Sequence, residues 1–160
     1  MSYEPAAMGA PILLVEDDAQ DAQIARRAFA HGNISNPLYV VRDGHDAMDF
    51  LRGRGRHAFP AAAPRPALIL LDLNMPGMDG RAVLSAVKRD PQLRCIPVVV
   101  LTTSDDAADV RACYEAGANT YITKPLEFRN FVEVVATVGR YWMRTAQLPA
   151  TTPEEERSSR

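Results

Sequence analysis

Several apolar runs in this sequence end in polar side chains that could do chemistry. Two acids, Glu16 and Asp17, follow the first run, and a single carboxylate, Asp72, ends the densest one. Two later runs end in a hydroxyl, Thr102, and an ammonium group, Lys124. A carboxylate surrounded by such groups is in a setting where it can accept a phosphoryl group. The sequence therefore predicts chemistry at Asp72, provided that the fold brings these residues together.

The charges of these residues predict a metal ion. Glu16, Asp17 and Asp72 bring three negative charges, and Lys124 offsets one of them. The surplus is costly at close range unless a cation is present or a pKa rises. A few hard oxygen ligands suit Mg²⁺, or Mn²⁺ in its place, and the backbone carbonyl of Asn74 could add one more.

The elements that must position these residues alternate between strands and helices. Strands are predicted at residues 11–15, 38–41, 68–71, 96–101 and 119–123. Helices are predicted at residues 19–31, 45–51, 79–89, 107–116 and 127–144. This order with short connections is typical of an α/β fold, a parallel sheet with helices on both faces. The carboxyl ends of its strands share one edge, where the polar residues would meet.

Composition favours one domain with a packed core and excludes several other classes. The 160 residues are 47% hydrophobic and 24% charged. A net charge of −2 provides no electrostatic attraction for nucleic acid, which is itself negatively charged. No apolar run is long enough to span a membrane. Cys95 and Cys113 fit reduced thiols, and the N-terminus is not a secretory signal. We therefore expect a cytoplasmic protein with no nucleic-acid or membrane partner.

The motifs around these residues resemble the receiver domains of bacterial two-component response regulators. The matching segments are LVEDD at 14–18, LDLNMPGMDG at 71–80, VLT at 100–102, GA at 117–118 and YITKPL at 121–126. The resemblance covers roughly residues 11–142. It implies a flavodoxin-like (βα)5 receiver fold, a three-layer sandwich with sheet order 2-1-3-4-5.

The chain is predicted to have three parts, and the resemblance assigns the metal ligands. A flexible leader at 1–10 would precede a receiver domain at 11–144, and a tail at 145–160 would carry no output domain. Asp72 would accept the phosphoryl group from a phosphohistidine on a sensor histidine kinase. Asp17, Asp72 and the Asn74 carbonyl would bind Mg²⁺, with Glu16 acting through water.

The remaining implied roles concern the switch. Thr102 and Lys124 would each bind a phosphoryl oxygen, and Tyr121 would turn inward when Thr102 moves. The bond between Lys124 and Pro125 would be cis, as it is in such domains. The chain would be no enzyme in the ordinary sense, since it would catalyse only its own phosphorylation and dephosphorylation.

A finer resemblance is to the stand-alone regulators paired with bacterial and cyanobacterial phytochromes. It rests on the loop at 52–66, the run at 101–104 and the ending at 141–149. It implies a phytochrome-type kinase as partner. Because few residues follow the last predicted helix, we expect the output to be binding of another protein.

The last predicted helix carries a second apolar stripe beyond the one its own core needs. A wide core face would explain that stripe, and so would a partner surface anchored by Tyr141, Trp142 and Leu148. Taken together with the finer resemblance, the second stripe predicts a homodimer through the face formed by the fourth helix, the fifth strand and the fifth helix. Phosphorylation would switch the same face.

Three alternative functions stay open. A dehalogenase-type phosphatase also forms an aspartyl phosphate, but its motif has a second aspartate where this chain has Asn74. A flavin or nucleotide carrier would need a glycine-rich phosphate loop, which follows none of the strands. A receiver-like module that binds partners without phosphorylation is the third. Thr103, bulkier than the alanine or glycine of many receivers, leaves the phosphoryl lifetime open.

Overall fold

The computed structural model describes residues 9–149. The strands are β1 Ile12–Val15, β2 Leu38–Val41, β3 Leu68–Leu71, β4 Val98–Thr102 and β5 Thr120–Thr123. The α-helices are α1 Ala19–His31, α2 Gly44–Arg52, α3 Gly80–Arg89, α4 Ala107–Glu115 and α5 Phe128–Arg140. All predicted elements are present, in the predicted order. Most of the predicted leader, and the predicted tail beyond Pro149, lie outside the described residues.

The sheet is parallel, with the order β2-β1-β3-β4-β5. In the centre, Ile12 of β1 pairs with Leu38 of β2 and with Leu68 of β3. Val100 of β4 pairs with Leu71 on one side and Tyr121 on the other. This confirms the predicted flavodoxin-like receiver fold and its strand order.

Two cores, one on each face of the sheet, explain why the central strands are apolar throughout. Successive side chains of a strand point to opposite faces. Leu13 and Val15 pack under α2 and α3, together with the side chains of β3 and β4 that point to the same face. Ile12 and Leu14 pack under α1 and α5 on the other face. Every residue of β1, β3 and β4 is buried. A strand covered on both faces gains nothing from polar alternation, hence the continuous apolar runs.

Aspartates begin four of the helices. The side chains of Asp18, Asp43, Asp79 and Asp106 accept backbone hydrogen bonds at the starts of α1, α2, α3 and α4. Such caps satisfy amide groups that have no partner within the helix. They fix where each helix begins at the carboxyl edge of the sheet, which is the edge that holds the polar residues.

The end of α5 differs from the prediction of one helix to residue 144. The α-helix stops at Arg140, and Tyr141–Thr145 forms a π-helical turn. The amide of Ala146 donates to the carbonyl of Tyr141 at 2.7 Å, a wider step than an α-helix makes. Trp142 packs against the core beneath α1 and α5, while Tyr141 stays 52% exposed.

The loop at 52–66 is tied to its neighbours. Arg56 and His57 both hydrogen-bond the carboxylate of Asp46 on α2, the histidine at 2.8 Å. The His57 ring also stacks edge-on against Phe50, with centroids 5.0 Å apart. None of the helices in the described part combines the length and apolar character needed to traverse a lipid bilayer.

Candidate functional site

The carboxyl edge of the sheet gathers the polar residues that the sequence singles out. Glu16 follows β1, Asp72 follows β3, Thr102 ends β4 and Lys124 follows β5. Among the residues that the structure describes, these four are the buried polar or charged side chains. A buried charge is costly unless it is paired. The convergence predicted from the strand ends is therefore present.

Three carboxylates at this edge could hold a metal ion. Oxygen atoms of Glu16, Asp17 and Asp72 all lie within 4.8 Å of one another. Asp17 is exposed, whereas Glu16 and Asp72 are buried, so the cluster opens to solvent on one side. Carboxylate oxygens are the ligands that Mg²⁺ and Mn²⁺ prefer. The donor set fits such an ion.

Lys124 is the cation at the centre of the cluster, and its side chain is only 5% exposed. Its Nζ lies 2.7 Å from Asp21 Oδ2, 2.9 Å from Glu16 Oε2 and 3.5 Å from Asp72 Oδ2. Burial disfavours its charge, but the hydrogen bonds to Asp21 and Glu16 outweigh that effect and raise the pKa of Lys124. The lysine therefore stays charged and offsets its acidic neighbours.

The lysine's shortest contact is to a residue that sequence reasoning missed. Asp21 lies in the first turn of α1 and is not among the residues that the sequence singled out. It lies four residues after Asp17, which precedes the helix cap Asp18 and is therefore not part of α1. No local pattern linked Asp21 to Lys124, which lies 103 residues further along the chain.

Glu16 carries the carboxyl group most affected by its surroundings. Burial raises the pKa of Glu16 to about 7, against the opposing effect of Lys124, and the charge of Asp72 raises it further. The backbone amide of Asp18 donates to Glu16 Oε1 at 3.1 Å and holds the side chain in place. Without a bound cation, the cluster therefore relieves part of its charge by proton uptake.

The turn after β3 brings the backbone of α3 against Asp72. A Cβ on Gly80 would lie 2.0 Å from the Asp72 carbonyl oxygen, so only glycine fits there. Gly77 has a φ of +73°, which L side chains rarely adopt. Asp72 Oδ1 accepts a hydrogen bond from the Asn74 amide at 3.2 Å. Two glycines thus hold the loop that carries Asp72 and Asn74.

Thr102 and Tyr121, the predicted switch residues, both contact loops around the site. The Asn74 side chain donates to Thr102 Oγ1 at 3.3 Å, which joins the β3–α3 loop to the end of β4. The Tyr121 hydroxyl donates to the Ser104 carbonyl at 2.8 Å, two residues beyond Thr102. Tyr121 is half-buried against the core. Thr102 therefore lies at the start of the β4–α4 loop, and Tyr121 contacts that loop directly.

The predicted cis bond before Pro125 is wrong. Within residues 9–149 the cis bond joins Phe59 and Pro60, and the Lys124–Pro125 bond is trans. Trans is the favoured form of such bonds, by about 0.5–1 kcal/mol. With it in place, the Lys124 amide donates to the Thr102 carbonyl at 2.6 Å, and the side chain still reaches its carboxylates.

Comparison with known proteins gives the class. The sequence profile of the response regulator receiver domain family matches residues 12–136. Response regulator Rcp1 of Synechocystis is 43% identical over 139 residues, which cover 87% of this chain and 92% of Rcp1. The chain therefore belongs to the response regulator receiver domain family, as its sequence predicted.

Two solved structures narrow the comparison. The phosphorylated cyanobacterial phytochrome response regulator RcpA superposes with a TM-score of 0.83 at 42% identity, over 89% of this chain and 99% of RcpA. The Mn²⁺-bound form of Rcp1 has a TM-score of 0.82 at 42% identity, over 88% of this chain and 99% of Rcp1. The chain is thus a receiver homologous to phytochrome response regulators.

Proposed function

We propose that Asp72 accepts a phosphoryl group from a sensor histidine kinase and that this modification switches a protein-binding surface. The observation that carries the proposal is the pairing of two buried charges at one sheet edge. Asp72 Oδ2 lies 3.5 Å from Lys124 Nζ, and carboxylate oxygens of Glu16 and Asp17 lie within 4.8 Å of Asp72. A phosphatase-type enzyme fits less well, because position 74 is asparagine rather than a second aspartate.

The transfer is a displacement at phosphorus. An oxygen of the Asp72 carboxylate forms the new bond, and the bond from phosphorus to the leaving group breaks. The electron pair departs with that group, the imidazole nitrogen of a phosphohistidine or the carboxylate oxygen of acetyl phosphate. Lys124 Nζ lies 3.5 Å from Asp72 Oδ2, and Thr102 ends the neighbouring strand β4, so both would receive phosphoryl oxygens, and the site needs no other reacting group.

Glu16, Asp17 and Asp72 would hold a divalent cation, Mg²⁺ or Mn²⁺, with the Asn74 carbonyl as a further ligand and Glu16 acting through water. When bound, the cation neutralises charge on the carboxylates and on the phosphoryl oxygens. Asp17 is the exposed member of the three, so it is the first to meet an incoming ion. Asp72 serves both as ligand and as acceptor.

Phosphorylation of Asp72 would change the conformation of Thr102 and, through it, of the β4–α4 loop. A phosphoryl group adds about −1.5 to −2 charge and three acceptor oxygens. Thr102 hydrogen-bonds one of those oxygens and gives up the donor from Asn74. The Tyr121 hydroxyl, now on the Ser104 carbonyl, follows that loop inward. Two packings of α4, β5 and α5 then differ in which surface they present.

Labelling of the whole chain tests the acceptor. Incubation with acetyl phosphate and Mg²⁺ should add one phosphoryl group, because the cation offsets the carboxylates that would repel the donor. Reduction of the acyl phosphate, followed by peptide mapping, should place the group on Asp72. A group found on another residue, or no group at all, would contradict the proposal.

The kinase partner is proposed from the relatives. Rcp1 is similar to this chain along most of its length, and the matched RcpA structure is that of a phytochrome response regulator. We assign this chain a phytochrome-type sensor kinase, with both proteins in the cytoplasm. Its own catalysis is confined to gaining and losing its phosphoryl group.

A homodimer through α4, β5 and α5 is the proposed assembly. This face is thinly covered: α4 buries only Cys113, and no residue of β5 is fully buried. Tyr114 on α4 and Tyr141 after α5 are about half exposed, at 49% and 52%. Exposed aromatic side chains often anchor protein interfaces. Trp142 and Leu148, both half-buried, would contribute at the rim.

Light scattering tests the dimer. At tens of micromolar the chain should have the mass of two copies, and Tyr141→Arg should shift it toward one copy, because the arginine charge would be buried at the interface. Phe59→Arg, on an aromatic residue that is 90% exposed in the loop at 52–66, is the matched control and should leave the mass unchanged. A monomeric mass with and without beryllofluoride would contradict the assembly.

A further inference from the structure

Lys124 has three N–H donors and three carboxylates around it. The two short contacts are to Asp21 at 2.7 Å and Glu16 at 2.9 Å, and the long one is to Asp72 at 3.5 Å. Two donors are therefore engaged away from the acceptor residue. The third donor has only the long contact to Asp72 Oδ2 at 3.5 Å.

Asp21 differs from the other acids in its position. It lies on α1, whereas the metal-ligand candidates Glu16 and Asp17 precede that helix, and its side chain is 25% exposed. It is also outside the set of carboxylates close enough to share an ion. Its contact is with the lysine, so it has no direct task toward a metal.

A lysine side chain is long, and an ammonium group rotates freely unless its hydrogen bonds fix it. Glu16 alone would leave the Lys124 Nζ free to swing about one contact. A second anchor from α1 limits that motion and leaves one N–H directed at the Asp72 side of the cleft. Catalysis gains from groups held in place before the reaction.

We propose that Asp21 is a positioning residue, which anchors the ammonium group of Lys124 so that its third N–H is held ready for an oxygen of the phosphoryl group on Asp72. The inference rests on the proposed phosphoryl transfer to Asp72. It assigns Asp21 to the phosphoryl side of the site rather than to the metal side.

Two variants of the same charge isolate the hydrogen bond. Asp21→Asn and Asp21→Ala both remove the negative charge, but only asparagine keeps an oxygen that can accept from Lys124. At saturating Mg²⁺, the initial rate of phosphorylation by acetyl phosphate should be about tenfold lower in Asp21→Ala than in Asp21→Asn. Asp21→Leu, which has the shape of asparagine without its oxygen, should behave as Asp21→Ala.

Calorimetry with Mg²⁺ alone separates this role from a metal-site or general structural role. The Mg²⁺ dissociation constants of Asp21→Asn and Asp21→Ala should agree within about twofold, because the two variants carry the same charge. Equal phosphorylation rates in the two variants would overturn the proposal. So would a Mg²⁺ affinity that falls in parallel with the rate. A wild-type chain that gains no phosphoryl group contradicts the proposed function itself, whereas a wild type that is labelled while both variants react equally contradicts only the role of Asp21.

Discussion

Asp72→Asn should lower phosphorylation by acetyl phosphate at least about a hundredfold, because an amide oxygen is a far weaker nucleophile than a carboxylate. The substitution keeps the size of the side chain. An amide oxygen can still accept from the Asn74 backbone amide, as Asp72 Oδ1 does at 3.2 Å. Folding should therefore survive, and loss of label reports chemistry. Intact-protein mass after incubation with acetyl phosphate and Mg²⁺ measures it.

Asp79→Asn is the matched control for that variant. Asp79 lies on the same loop and caps α3 through the amide of Ala82. Asparagine caps helices about as well as aspartate, so the control removes one charge from the same loop and little else. It should be labelled at close to the wild-type rate. Label that persists in Asp72→Asn would show that another residue is the acceptor.

Lys124→Met should lower the free energy of unfolding by about 3–5 kcal/mol in metal-free buffer, since it removes one partner from a buried ionic cluster. Methionine keeps the length of the lysine stem, so little cavity is created. Glu16 and Asp72, whose side chains are 3% and 7% exposed, would be left without their cation. Urea unfolding in EDTA measures the loss, and Mg²⁺ should restore part of it by binding only the folded chain.

The same loss should depend on pH. The pKa of Glu16 is about 7 in the folded chain, above its ordinary value of 4.5, so its protonation favours folding at low pH and that contribution disappears as pH rises through 7. A protonated Glu16 does not need the lysine. In EDTA, the difference between Lys124→Met and wild type should therefore be smaller at pH 5 than at pH 8.

Arg111→Met provides the comparison for an exposed charge. Arg111 pairs with Glu115 at 3.0 Å, but both side chains are mostly exposed, at 82% and 68%. Such surface pairs contribute about 0–1 kcal/mol, so Arg111→Met should lose no more than that.

Lys124→Arg, which retains the charge, should lose less stability than Lys124→Met. Equal unfolding midpoints for Lys124→Met and wild type would show that the buried cluster does not depend on its lysine.

Local patterns in the sequence were enough to predict the elements and the main site. The continuous apolar run at Leu68–Leu71 could be assigned to a strand because no face of it needs to be polar. Parallel strands end at a common edge, so the alternation of strands and helices was sufficient to place Asp72 and Lys124 at that edge, whereas the strand order was implied by the resemblance. Both inferences depend only on backbone periodicity, which a sequence states directly.

Contacts made by side chains across the fold were harder to predict. Nothing local shows that Asp21 on α1 meets Lys124, which follows β5 and lies 103 residues further along the chain. The tie between Asp46 and the loop residues Arg56 and His57 was equally hidden. The peptide isomer before Pro125 was inferred from resemblance alone, and the structure has the opposite one.

By itself, the sequence determined which class of fold this chain adopts and which carboxylate could accept a phosphoryl group, because hydrophobic periodicity and strand-end chemistry are local properties. Only the tertiary structure decided how the charges at that edge are shared. The distances from Lys124 Nζ to Asp21, Glu16 and Asp72 depend on how α1 and β5 pack against the same sheet. Electrostatic energies change steeply over a few ångströms and with burial, so the partners of the buried lysine follow from packing.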